Sequence, residues 1–405
     1  MRTEAVKRRS GEPEITRAPF PCFSLSLLLP FLVFLILPCS CSRTVRPVLE
    51  RLDPASMPTF FDDLDRPSLK AAVQQSLIAL RRKKETESLA FGEEQLSVGR
   101  IRDGLTAFLA FLESEADLQL ALQRDFEVYR VATPVLFTGY YEPLLDGNLV
   151  RTERYRYPLY RRPDDLVEVD LSAFLPEHAG ERLYGRVVNG KLLPYFSREE
   201  IDSQGVLAGK GYELVWVDDP VARFFLHIQG SGQIQLPAGR RLRVGYAGTN
   251  GKAYQSIGKW LLDQGKLRSG ETSAPAIRRY LHNHPEEQDT IFSHNQRYIF
   301  FQIAPITADG PRGSLGVPLT PGRSLATDPK IYPPGALGFI RTRRPVVDAQ
   351  KRVTWKEFSR FVLLQDRGAA ITGWGRADLF WGSGDDTEVG SMAQEGEFYL
   401  VVKKP

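Results

Sequence analysis

The sequence predicts a mainly β protein with a layer of helices at its N-terminal side, and three observations predict it. Between Leu69 and Val128 apolar residues recur every three or four positions, the period of one helix face. From Thr133 onward short apolar or alternating runs, separated by Gly, Pro and Asp, take over, as in a β barrel or sandwich. The 405 residues, 42% hydrophobic and 11% aromatic, suffice for two or three domains with full cores.

The chain opens with five basic side chains against three acidic ones in residues 1–40, then an apolar run from Phe20 to Pro38, then Cys39 and Cys41. A positive region, an apolar region and small residues form an export signal. Pro30 in the middle and cysteines at the exit favour lipoprotein processing at Cys41 over a lasting span, although the residues before Cys41 depart from the usual lipobox. Beyond Cys41 there is no cysteine, hence no disulfide and no thiolate for catalysis or zinc. Residues 42–65 read as a proline-bearing tether.

Behind Pro67-Ser68, the residues Leu69, Val73, Ser76, Leu77 and Leu80 predict a helix, with Arg81 to Lys84 on its last turn. A second helix is predicted from Val98 to Ser114 and a third from Asp117 to Val128. Strands are then predicted at 135–141, 155–160, 183–188, 213–217, 224–229 and 241–246. Short helices interrupt them at 197–202, where Ser197 and Glu200 form a capping box, and at 254–263. After His294, strands are predicted at 298–302, 317–319, 336–341, 361–365 and 397–403.

Net charge is +4, and the leader supplies half of it. A nearly neutral body excludes nucleic acid as the expected partner and suits a neutral polymer or small molecule.

Three motifs carry chemistry. Gln365 to Gly382 places Asp366 at a strand end and Asp378 among Trp374, Phe380 and Trp381, where a carboxyl is held protonated as a general acid requires. Asp-Arg-Gly is also an ordinary turn, so this stretch alone decides nothing. Phe137 to Pro143 sets Thr138 and Gly139 beside Tyr140 and Tyr141, a combination that suits a sugar groove or, equally, a strand end with core tyrosines. His227-Ile-Gln-Gly-Ser-Gly-Gln233 offers Gln229, Gly230, Ser231 and Gly232 to a ligand but lacks any phosphate-loop pattern. His227 itself reads as a packed histidine, because no His or Cys stands at ligand spacing, and His282 and His284 read as solvated.

Thr138 to Pro143, His227 to Gly232, Gly322 to Pro329 with Ile331 to Gly335, and Asp366 to Gly382 together resemble the membrane-bound lytic murein transglycosylase A family. The last two blocks look like its three-aspartate domain, with Asp328, Asp366 and Asp378 as the named acids. The resemblance covers roughly residues 131–403. It implies a double-psi β-barrel catalytic domain with an inserted second β domain. The expected organisation is a signal over 1–41, a tether over 42–65, helices over 66–133, the insert over 134–293 and the barrel over 294–405.

The implied activity is cleavage of the β-1,4 bond between N-acetylmuramic acid and N-acetylglucosamine of peptidoglycan, without water, closing a 1,6-anhydro ring. Asp378 matches the catalytic acid and Asp366 its support. Asp328 joins Thr138, Gly139, Tyr140, Tyr141 and the 229–232 loop as expected substrate contacts, unless it braces the barrel. No metal or other cofactor is expected. The implied partners are peptidoglycan strands, an outer-membrane lipid anchor facing the periplasm, and complexes of cell-wall synthesis or hydrolysis. A non-catalytic wall-binding protein and a water-using muramidase stay open beside this reading.

Overall fold

The computed structural model describes residues 48–114, 117–178, 180–269, 271–306, 310–347, 353–383 and 393–405. The signal over 1–41, with the candidate lipid site Cys41, lies outside them. Among the described residues no helix is long and apolar enough to cross a membrane.

The protein is mainly β and centres on a closed six-stranded barrel. Its strands follow in the order Gln394–Lys403, Leu337–Val347, Val353–Asp366, Ser324–Ala326, Arg376–Ser383 and Val135–Glu142, and the last pairs back onto the first. Closure leaves no open edge within the ring. Two of the pairings are parallel, 324–326 on 353–366 and 376–383 on 135–142, so the barrel is mixed. Phe126–Val131 extends it at one side through antiparallel pairing with 394–403.

Three helices pack on this barrel. Asp65 caps Arg66–Leu80, its side chain accepting from Ser68 N, and Pro67 fits the first turn, where an N–H has no partner anyway. That helix stops at Leu80, so Arg81 to Lys84 lie beyond it instead of on its last turn. Val98–Glu113 is capped by Ser97. Leu118–Asp125 is capped by Asp117 and ends three residues short of the expected Val128, because Phe126 to Val131 joins the sheet. Leu69, Val73, Leu77, Leu105 and Phe108 share one core with Phe339, Phe361, Leu379 and Leu400 of the barrel.

The segment expected as a tether is tied down where it is described. Leu49–Arg51 pairs with Phe126–Val131. Asp62 receives the fully buried Arg323 at 2.6 Å, and both nitrogens of the Arg360 fork reach Asp63 at 2.9 Å. Paired buried guanidinium groups need such partners, which a loose tether would not supply.

A second sheet runs in the order Ile299–Ala304, Arg241–Thr249, Gly232–Gln235, Leu144–Asn148, Glu213–Val217 and Tyr157–Tyr160. Its core, with Leu145, Val215, Ile234, Val244 and Phe301, is separate from that of the barrel. The strand pairings therefore differ from the expected insert bounds of 134 and 293. Val135–Glu142 is a barrel strand, and Ile299–Ala304 belongs to the second sheet.

Several local expectations are corrected. Residues 224–229 form the end of a helix, Pro220–Gln229, started by Asp219, whose side chain accepts from Val221 N at 2.8 Å. Residues 317–319 make no strand, only one bridge between Arg312 and Pro318. Helices Ala274–Asn283 and Gln288–His294 occupy a Pro- and Glu-rich stretch for which none was expected. The capping box at Ser197 and Glu200 is present as expected.

Candidate active site

Asp366 and Asp378 are brought together by the short strand Ser324–Ala326. Ala326 pairs with Asp366 on one side and with Asp378 on the other, so the two acids stand on strands that flank a common neighbour. The helix Arg66–Leu80 fixes the strand that carries Asp366. Fully buried Gln365 donates to Ala72 O at 2.7 Å and Ser76 Oγ at 3.0 Å, and accepts from Ser324 Oγ at 2.6 Å. The helical side thus sets the height of the acid without touching it.

The Asp366 carboxylate is fully engaged. Oδ2 accepts from the Tyr140 hydroxyl at 2.9 Å, and Oδ1 accepts from Ser314 N at 2.8 Å and Arg367 N at 2.9 Å. Burial pushes its pKa up, and these donors pull against that shift. Gly313 is what lets the 312–316 turn come so close. A Cβ there would lie 2.8 Å from Gln365 O and 3.3 Å from Asp366 Cγ.

Asp378 sits in the middle of Arg376–Ser383, opposite Thr138 in the parallel strand. Burial raises its pKa to about 6, assisted by the charge on Asp366 and opposed by Thr138 and by the Arg376 guanidinium. Although the Thr138 hydroxyl lies close enough to favour the charged form, neither Thr138 Oγ1 nor Asp378 Oδ1 completes a hydrogen bond of good geometry. Arg376 Nε is likewise buried without a partner. Three unmatched polar atoms therefore meet on one face of two adjacent strands.

The aromatic surroundings differ from expectation. Only Phe380 shares the face of Asp378, packed 5.3 Å from the Tyr140 ring. Trp381 points to the opposite face, against Phe358 and the Arg360 guanidinium, and Trp374 packs edge-on to Tyr332 at 5.5 Å. Removal from water, not crowding by the two tryptophans, holds the acid up.

Asp328 is a brace. Its Oδ2 accepts from Gly373 N at 2.8 Å and its Oδ1 from Lys330 N at 3.0 Å, which ties the approach loop of Asp378 to the 328–331 turn. Both of its carboxylate oxygens are thus taken by backbone amides, the arrangement of a brace. Glu142 is also spent. It is 1% exposed and holds the Arg243 fork at 2.6 and 3.0 Å, with further donors from Gln233 and Ser383.

In the 229–232 loop, Gln229 Oε1 accepts from Tyr141 N at 3.1 Å, so the loop abuts the barrel strand next to that of Asp378. Gly230 caps the helix in the left-handed region (φ 81°), and a Cβ on Gly232 would meet Leu226 at 2.4 Å. The fold accounts for both glycines. The Tyr141 hydroxyl accepts from Arg278 at 2.9 Å. His227 is a packed histidine, its Nδ1 accepting from Ile299 N at 3.2 Å and its pKa pushed well down by burial.

Tyr254, on the loop after the strand Arg241–Thr249, lies within electrostatic reach of both Arg376 and Asp378. The second sheet thereby places a residue against the barrel site. A separate depression of about 540 Å³, lined by Glu85, Arg100, Asp103 and Lys403, contains none of these groups.

Comparison with known proteins places two family models on the chain. The MltA specific insert domain matches residues 136–302 and the 3D domain matches residues 323–402. The chain belongs to the MltA family. It is 32% identical over 257 residues to membrane-bound lytic murein transglycosylase A of Escherichia coli K12, covering 62% of this chain and 60% of that protein. The matched stretch thus spans about 60% of the curated relatives' length. The crystal structure of a membrane-bound lytic murein transglycosylase from Agrobacterium tumefaciens superimposes with a TM-score of 0.73 at 29% identity, over 88% of this chain and 97% of that one. E. coli MltA with bound chitohexaose shares the fold, with a TM-score of 0.64 at 23% identity, over 88% and 95% of the two chains.

Within the MltA-family site, sequence reasoning missed Arg376, Tyr254, Gly313 and Ser314. Arg376 had a usable signal, standing two residues before Asp378 in a strand and so on the same face. Tyr254 and Ser314 reach the site only through tertiary packing.

Proposed function

We propose that the protein is a lytic murein transglycosylase. In this reading it cleaves the β-1,4 bond between N-acetylmuramic acid and N-acetylglucosamine of peptidoglycan and closes a 1,6-anhydro ring on the muramoyl product, the chemistry of a carbon–oxygen lyase. One observation carries the reading: of the four carboxyls around the site, only Asp378 keeps an oxygen without a partner. Asp366, Asp328 and Glu142 are engaged by Tyr140, Gly373 and Arg243 and their neighbours.

Ordinary glycosidases need two working carboxyls, one to protonate the leaving oxygen and one to attack or to activate water. A single free carboxyl suffices when the sugar supplies its own nucleophile. Protonated Asp378 gives its proton to the glycosidic oxygen as that bond breaks. The resulting carboxylate accepts the proton of the muramoyl 6-hydroxyl as that oxygen bonds to C1, and the acid is regenerated. A pKa of about 6 suits both halves of this exchange. Asp366 raises it by repulsion, with its own charge steadied by three donors.

The glycan would lie between the barrel face of Asp378 and the second sheet, meeting Thr138, Gly139, Tyr140 and Ser231. Tyr141, Gln229, Gly230 and Gly232 shape that wall. Binding of chitohexaose by a protein of the same fold supports a β-linked glycan as ligand. We also propose that the barrel has double-psi topology and that the second sheet acts as its inserted domain. Cys41 would carry a lipid anchor at the outer membrane, facing the periplasm, where complexes of cell-wall synthesis and hydrolysis are accessible.

Digestion of purified sacculi tests the reading. Anhydro-muropeptides should appear with the native protein and fall by about 10²–10⁴-fold with Asp378→Asn, while sacculus binding persists. Reducing ends in their place would make it a hydrolase, and intact sacculi a binding protein.

A further inference from the structure

We infer that Arg376 reads the 3-O-lactyl acyl group of the muramoyl sugar and so distinguishes peptidoglycan from a glycan built of N-acetylglucosamine alone. This rests on the proposed function and names a specificity residue within it. Arg376 and Asp378 are two apart in the strand Arg376–Ser383 and therefore share a face. Arg376 pairs with Leu136 in the strand whose Thr138 stands opposite Asp378. Its Nε is buried without a hydrogen bond, as are Thr138 Oγ1 and Asp378 Oδ1 on the same face of these two strands. Buried polar groups without partners are costly, and three on one face mark where a polar ligand completes the set.

The chemistry of the set narrows the ligand. A guanidinium offers a planar fork of donors, which matches a carboxylate or acyl oxygen and not an isolated ring hydroxyl. In the proposed substrate two groups near the cleaved bond present an acyl oxygen, the acetamido carbonyl at C2 of the muramoyl ring and, at C3, the lactyl acyl group, which alone can be a carboxylate, the stronger partner of such a fork. It is a free carboxylate on peptide-free strands and an amide carbonyl on peptide-bearing ones. Both present an oxygen to the fork, and the charged form binds more strongly.

The test measures kcat and KM on peptide-free and peptide-bearing strands, and calorimetric affinity for chitohexaose, whose sugars lack a lactyl group. Wild type, Arg376→Gln and Arg376→Lys are compared. The Gln variant should raise KM on peptide-free strands about 10- to 100-fold, and less on peptide-bearing ones. Lys should restore part of the loss, and chitohexaose affinity should stay within about twofold.

Equal losses on chitohexaose would overturn the inference, as would a loss confined to peptide-bearing strands, which would make Arg376 a reader of the stem peptide. An unchanged KM with only a displaced pH profile would also overturn it, leaving Arg376 a modulator of Asp378. If the native protein releases no anhydro product, the proposed reaction fails separately, and calorimetric affinity of peptide-free strands for native and Arg376→Gln protein still decides this point. Should the Gln variant not fold, Arg376→Lys supplies the same comparison.

Discussion

Replacing Asp378 with Asn should make the protein more stable at neutral pH while cutting turnover by about 10²–10⁴-fold. Burial lifts the carboxyl from its ordinary value of 3.8 to about 6. The folded state therefore holds the proton more tightly than the unfolded chain. Stability from this group is fully present below 3.8 and is lost as pH rises through about 6. At pH 8 the native protein carries a buried charge that Asn does not. The interval corresponds to roughly 3 kcal/mol, and water reaching the partly exposed residue reduces it to about 1–3 kcal/mol.

With a melting shift of roughly 1–2 °C per kcal/mol for a folded unit running from Arg46 to Pro405, the variant should melt about 1–4 °C higher at pH 8. The advantage should shrink steadily between pH 6 and pH 4. Thermal denaturation followed by circular dichroism across that range is the assay. An advantage that does not depend on pH, or none at pH 8, would refute burial as the cause of the raised pKa.

Other perturbations read the supporting groups. Tyr140→Phe leaves Asp366 Oδ2 without its donor and should lower kcat by about 10-fold or more, at a cost of about 1–3 kcal/mol in urea unfolding. Asp328→Ala frees the Gly373 and Lys330 amides and should cost about 1–3 kcal/mol in urea unfolding, with turnover falling as the loop before Asp378 loosens. Glu142→Ala strands the buried Arg243 guanidinium and should cost about 3–5 kcal/mol, read by the same unfolding. The rate of cleavage by the native protein should fall as pH rises through about 6, because the acid form of Asp378 starts the reaction.

Much of this was legible in the residues. The helical period around Leu69 to Leu112 and the strand pattern after Thr133 follow from one-dimensional repeats, and the barrel strands obey them. The run Phe224 to Gln229 misled because it is short and mostly apolar, so alternation and helical period fit it equally. Asp219 and Pro220, the start signal of that helix, were the clue. Asp378 and Asp366 stood out through their glycine-rich setting. The engagement of Asp328 and Glu142 was not readable, since Gly373 and Arg243 lie 45 and 101 residues away in the chain. The false cue was Trp381, whose nearness in sequence to Asp378 hid its placement on the other face of the strand.

The central claim is that the substrate's own hydroxyl, not water, attacks at one free carboxyl. Digesting peptide-free glycan strands in H₂¹⁸O and weighing the products by mass spectrometry tests it most directly. The account predicts anhydro-muramoyl ends lighter than the hydrolysis product by one water and free of ¹⁸O. Incorporation of ¹⁸O at the anomeric carbon of the muramoyl product would contradict it.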